Sequence, residues 1–120
     1  MLADYFLYTG LSLLIVHEMD AIRRNEWRMF IYLSKLKPET GYAVFSLLHI
    51  PLFMLIFWGL FSAAPEIKKA LILFLNGFFV AHFFLHLMFI RHRNNEFRSV
   101  FSWGIIGGLF LIGIGGILTG

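Results

Sequence analysis

Residues 41–63, GYAVFSLLHIPLFMLIFWGLFSA, run for 23 positions without an Asp, Glu, Lys or Arg. At a rise of ~1.5 Å per residue, a helix of that length matches the ~30 Å hydrocarbon core of a bilayer. Working outward, three further apolar stretches lie at 2–23, 66–90 and 100–118. The expectation is therefore an all-α polytopic membrane protein. Residues 1–120 form a single integral membrane domain, a four-transmembrane-helix bundle. Composition agrees: 59% of residues are hydrophobic and 14% charged, against roughly 25% charged in an average soluble domain. Met1-Leu2-Ala3-Asp4 offers no basic region ahead of the first apolar run, which is read as a retained helix rather than a signal peptide.

The first stretch is apolar only to Val16, and its helix is expected to continue through His17-Glu18-Met19-Asp20 to Arg23-Arg24. Within the second, Pro51 has no N–H to donate to residue 47, so a kink is expected near His49. Between these spans, residues 25–37 alternate Trp27, Phe30, Ile31 and Leu33 with Arg28, Ser34, Lys35 and Lys37. That pattern predicts a short interfacial helix ended by Pro38.

The distribution of basic residues orients the bundle. Loop one holds Arg23, Arg24, Arg28, Lys35 and Lys37, loop three holds Arg91, Arg93 and Arg98, and loop two holds only Lys68 and Lys69. The positive-inside rule then places loops one and three in the cytoplasm and both termini outside. The net charge of +3 belongs to these membrane flanks, where anionic headgroups are its partners. It gives no reason to expect a nucleic-acid partner. The absence of cysteine excludes disulfides and thiolate metal sites.

The fourth stretch carries Gly104, Gly108 and Gly115 on one stripe and Gly113, Gly116 and Gly120 on another. Small residues allow close backbone approach, either to the other spans or to a second copy as a homo-oligomer seam.

Ionisable groups within a membrane are costly and point to function. His17, His49, His82 and His86 all fall inside spans, ~8 to ~14 Å from the ends predicted to be cytoplasmic. His82 and His86 stand at i and i+4, the spacing by which two imidazoles on one helix face share a metal. His17, Asp20 and Arg24 share a face on the first helix, whereas Glu18 points about 100° away from His17. Three imidazoles with a carboxylate or water suit zinc, with iron as the alternative. His17, His82 and His86 are the expected metal ligands. His49 is a fourth ligand, a proton shuttle or a hydrogen-bond partner of a neighbouring helix. Asp20 completes the shell, acts as general base or pairs with Arg24. Glu26 is read as an interfacial anchor or as a clamp on an arginine, His92 as a headgroup contact, and Asn76 as an interhelical hydrogen bond.

Through His17-Glu18-Met19-Asp20-Ala21 and Glu26-Trp27-Arg28 the chain resembles a group of small bacterial membrane proteins with an HE-x-DA…EWR signature. That resemblance implies a bacterial inner-membrane location. It is also distantly similar to the HXXEE family, with Asp20 and Ala21 standing where that family has two glutamates. By constellation alone, His17, Asp20, His82 and His86 resemble the intramembrane zinc set of alkaline ceramidases. The function expected is a zinc-dependent membrane hydrolase acting on a lipid or amphiphile. Two-iron oxidation would need about twice as many histidines. The rival expectation is a non-catalytic accessory subunit, or a small carrier of protons or metal ions.

Overall fold

The computed structural model describes all 120 residues. It is all-helical, with α1 Leu2–Arg23, α2 Pro38–Phe61, α3 Pro65–Met88 and α4 Val100–Thr119. Pro38 and Pro65 occupy the first turns of α2 and α3, where a missing N–H costs nothing and the fixed φ suits the helix. Ser99 caps α4, its Oγ accepting from the Ser102 N–H at 3.0 Å. α2, α3 and α4 are each long and apolar enough to cross a membrane, with mean hydropathies of 2.1, 2.0 and 2.0.

Residues 25–37 do not form one interfacial helix. They fold as two 3-10 turns, Glu26–Met29 and Leu33–Lys35. Asn25 turns the chain with a left-handed backbone (φ 51°), a conformation asparagine tolerates just past a helix end. Pro38 opens α2 instead of closing the preceding segment.

α4 lies against both α1 and α3, and α2 packs chiefly on α3. One core cluster joins Leu7 and Leu14 of α1, Ile56 and Leu60 of α2, Leu75 and Phe79 of α3, and Leu109 of α4. The second, at the end carrying loops one and three, joins Ala21, Trp27, Phe45, Phe97 and Ile106. The outer surface is apolar, with Phe74, Leu111 and Leu118 among its exposed side chains. In a soluble monomer such continuous apolar exposure would be anomalous; in lipid it is the expected exterior.

The two glycine stripes of α4 face different neighbours. A Cβ on Gly113 would lie 2.7 Å from the Asn76 carbonyl oxygen and 3.0 Å from Phe79 Cβ of α3, and Gly116 receives the Asn76 side-chain amide. Gly115 instead takes the Phe6 ring of α1, and Gly108 meets Leu13 at 3.4 Å. Gly104 and Gly107 have no neighbour within 4 Å. Asn76 is buried against α4, but the interhelical hydrogen bond expected of it is not made: its Oδ1 has no partner.

Gly113→Val should therefore overpack the α3–α4 seam and cost about 1–3 kcal/mol. Gly104→Ala and Gly107→Ala should leave stability unchanged or slightly raised, because alanine is the better helix former. Thermal melts in detergent separate the two classes; equal losses in all three would show that α4 is seated differently.

Candidate metal centre

At the end of α1, helical geometry turns His17 and Asp20 inward, and both are buried. Asp20 is held on two sides. Its Oδ2 accepts from Ser102 Oγ of α4 at 2.6 Å, and its Oδ1 accepts from Arg24 Nε at 3.3 Å. Arg24 reaches on to Ser99 Oγ at 3.4 Å. The carboxylate thus ties the end of α1 to the start of α4 and stands outside the histidine group.

His82 and His86 project from one face of α3 towards His17. The ring centroids lie 4.4 Å apart for His17–His82 and for His82–His86, and 5.3 Å apart for His17–His86. His82 Nε2 and His86 Nε2 are separated by 3.0 Å, close to the ~3.3 Å between two corners of a tetrahedron with ~2.0–2.1 Å zinc–nitrogen bonds. Glu26 is a fourth candidate donor beside them, its Oε1 3.7 Å from His86 Nε2. One donor atom from each of His17, Glu26, His82 and His86 falls within 4.8 Å of the others.

Sequence reasoning missed Glu26 because it lies beyond the helix, where periodicity has no reach. The left-handed Asn25 reverses the chain, and the buried Trp27 ring then fixes the segment against Gly41 of α2. A Cβ at Gly41 would lie 2.5 to 2.8 Å from three Trp27 ring atoms. The helix-stop signal of Arg23-Arg24-Asn25 was visible in the sequence; the return of Glu26 towards α3 was not. Glu26 clamps no arginine. Loop one is fastened to loop three by Asn25 Nδ2 donating to Glu96 at 3.1 Å and Asn94 Nδ2 donating to the Arg28 carbonyl at 2.9 Å.

The group has the character of a ligand set rather than of satisfied core histidines. His17 is fully buried, and neither of its ring nitrogens has a hydrogen-bond partner; His82 Nδ1 has none either. Buried polar atoms are almost always paired, and each orphan costs about 1–3 kcal/mol. A divalent ion at the centre would engage one nitrogen of each ring, and so one of the two orphaned nitrogens of His17. Phe97, also fully buried, covers the group, its ring centroid 4.6 Å from His86 and 5.7 Å from His17. Burial, followed by the charges of Glu18 and Asp20, raises the Glu26 carboxyl from 4.5 to about 8. An adjacent cation would offset that cost.

His49 is not part of the cluster. Its Nδ1 lies 2.7 Å from the Phe45 carbonyl, to which it must donate because a carbonyl only accepts. Its Nε2 meets the Glu18 carboxyl in a short contact. One proton is therefore shared between Glu18 and His49 across α1 and α2. Glu18 does point away from His17, as helix geometry requires, and that direction delivers it to His49.

Both arrangements open on one cavity of about 570 Å³. Glu18, Glu26, His49, His82 and His86 form its polar wall, and apolar side chains that include Phe45, Leu48 and Leu85 form the rest. Leu48 and Leu85 are also exposed on the outer surface, so the cavity opens sideways between α2 and α3.

The chain belongs to a family of unknown function (DUF6713), which matches residues 3–119. No curated protein and no solved structure matches it.

Two outcomes follow. Protein loaded with zinc should hold close to one ion per chain by elemental analysis. His17→Ala or His82→Ala should lose it, while Asp20→Asn and His49→Phe keep it. Metal retained by both histidine variants would refute the site. In metal-free protein, Glu26 holds a proton in the folded state that the unfolded chain releases. Its contribution to stability therefore falls as pH rises from 4.5 to about 8. Glu26→Gln should remove that part of the slope in melts at pH 5 and pH 9; an unchanged slope would place the carboxyl in water.

Proposed function

We propose that the protein is a zinc-dependent membrane hydrolase of lipid or amphiphilic esters or amides. The observation that carries this reading is the set of three convergent imidazoles: His82 and His86 stand in the wall of the cavity, and His17, with its orphaned nitrogens, is buried behind them.

In this reading α1 is a fourth transmembrane span. Its His17, Glu18 and Asp20 face the bundle, whereas Ile15 and Met19 at the same level face outward and are exposed, so lipid meets apolar side chains at that depth. The basic loops one and three then lie in the cytoplasm and the centre in the cytoplasmic leaflet.

His17, His82 and His86 would hold the ion, and zinc held there would supply Lewis-acid polarisation of the scissile carbonyl and a water of lowered pKa. The water oxygen adds to the carbonyl carbon and its proton passes to Glu26, the carboxylate on the cavity side of the three imidazoles. The carbon–oxygen or carbon–nitrogen bond then breaks, and the leaving group takes a proton from the Glu18–His49 pair, which shares one across the same cavity. The O–H bond of the product carboxylic acid then breaks and its proton restores the Glu18–His49 pair, while Glu26 gives up its proton to water. The products are a carboxylate, the protonated leaving group and one released proton. Glu26 takes the role that spacing alone assigned to Asp20, whose oxygens are engaged by Ser102 and Arg24.

A second reading draws on a specific feature. Three imidazoles and Glu26 make a complete tetrahedral set, and closed sets are typical of structural zinc. The protein would then be a metal-stabilised accessory subunit.

Glu26→Gln decides between them. Under the hydrolase reading the variant keeps its zinc and loses about 10²–10⁴-fold in turnover of a fluorogenic acyl ester. Glu18→Gln should lower turnover with metal content unchanged. Loss of zinc in Glu26→Gln, together with no turnover by zinc-loaded wild type across ester and amide amphiphiles, would favour the accessory subunit.

A further inference from the structure

A second cavity of about 330 Å³ lies beside the polar one, towards the opposite end of the bundle, with Leu14, Leu55, Ile56, Leu71, Phe74 and Leu75 in its wall and Glu18 as its one polar residue. Glu18, Leu52 and Phe78 line both cavities, so the two adjoin at these side chains. Leu14, Ile56 and Leu75 are buried and form the floor. At the far end Leu71 leans over Gly59, where α3 comes close to α2.

The mouth of the second cavity faces the outer surface, with Leu55 and Phe74 exposed, but its floor lies behind α2 and α3 and it runs along the helix axes as an acyl chain does, with Leu71 at its far end. Water has no use for it, because a bound water needs two to four polar partners. From His82 to Leu71 is eleven residues, ~16 Å along α3, the length of an extended chain of about twelve carbons.

We propose that this slot holds the hydrocarbon chain of a single-chain amphiphile whose polar head lies among Glu18, Glu26, His49, His82 and His86. The inference rests on reading the polar cavity as the substrate site and adds the class of substrate: one medium-length chain, selected by length.

Full-length protein in amphipol, free of metal, is titrated with radiolabelled dodecanoic acid. Wild type should retain close to one per chain, saturably. Leu52→Trp, at the half-exposed junction of the two cavities, should weaken binding tenfold or more. Leu47→Trp, exposed on the same helix and lining neither cavity, should not. A second arm uses cobalt-loaded protein and alkyl hydroxamates of two, eight, twelve and eighteen carbons, read by the cobalt spectrum. Affinity should rise at least tenfold to about twelve carbons and then stop, and Leu52→Trp should flatten the series. Non-saturable dodecanoate uptake, or equal uptake by the two tryptophan variants, would overturn the slot whatever the metal results. Saturable, Leu52-dependent uptake in a protein that takes up no cobalt would uphold the slot and remove the metal centre instead.

Discussion

The Asp20 carboxylate, placed where an apolar protein can least tolerate a charge, fixes the geometry of everything near it. A buried anion is stable only when its oxygens are matched, and each Asp20 oxygen has its own partner, Ser102 Oγ and Arg24 Nε. Ser102 belongs to the first turn of α4, and Ser99, which Arg24 also reaches, is the residue that caps it. One carboxylate therefore pins the last turn of α1 to the first turn of α4. Displacing it would leave a buried charge unmatched, the kind of loss that costs several kcal/mol. His17 lies one turn earlier on the same face, so its position against α3 is inherited from that pin.

The order of chain segments explains the rest of the centre. With α1 and α4 joined, loop three must cross the end of the bundle, and it carries Phe97 into the space above His17 and His86. Asn95 shapes that crossing, donating to the Ile90 carbonyl at 3.1 Å and accepting from the Phe97 N–H at 3.1 Å. Loop one crosses beside it, held by Asn25–Glu96 and by Trp27 against Gly41. Polar side chains thus dock the two loops on each other while aromatic rings exclude water beneath them. The cavity beside His82 and His86 is left between α2, α3 and loop one.

How much of this could be read beforehand follows from what each signal measures. Apolar run length located the helices to within three residues, as in 41–63 against Pro38–Phe61. Helical rise placed His17, His82 and His86 at one depth, and the i, i+4 spacing put two of them on one face; both properties are local. Direction around a helix relative to a neighbour is not local. His49 lies at the expected depth but turns to Glu18, and only the packing of α2 decides that. Asp20 and His17 share a face, yet Asp20 meets the start of α4 because the loops bring Ser99 and Ser102 there. Glu26 had no periodicity to reveal it, since its course is set by one left-handed residue and by a contact between Trp27 and Gly41.

That last residue gives the centre its asymmetry. His17, His82 and His86 stand on helices whose backbones are fixed by their own hydrogen bonds and by packing, the kind of support that holds a ligand geometry within a fraction of an ångström. Glu26 stands on a four-residue 3-10 turn, the least regular support of the four, and it is the member whose other side faces the cavity beside His82 and His86. In the hydrolase proposed above, three imidazoles borne on long helices and backed by a buried wall would hold the ion, and the one carboxylate of the four, on a short turn at the cavity side, would move the proton. Four donors borne on long helices would suit coordination alone, whereas a carboxylate on a turn beside the cavity would suit a site that exchanges substrate.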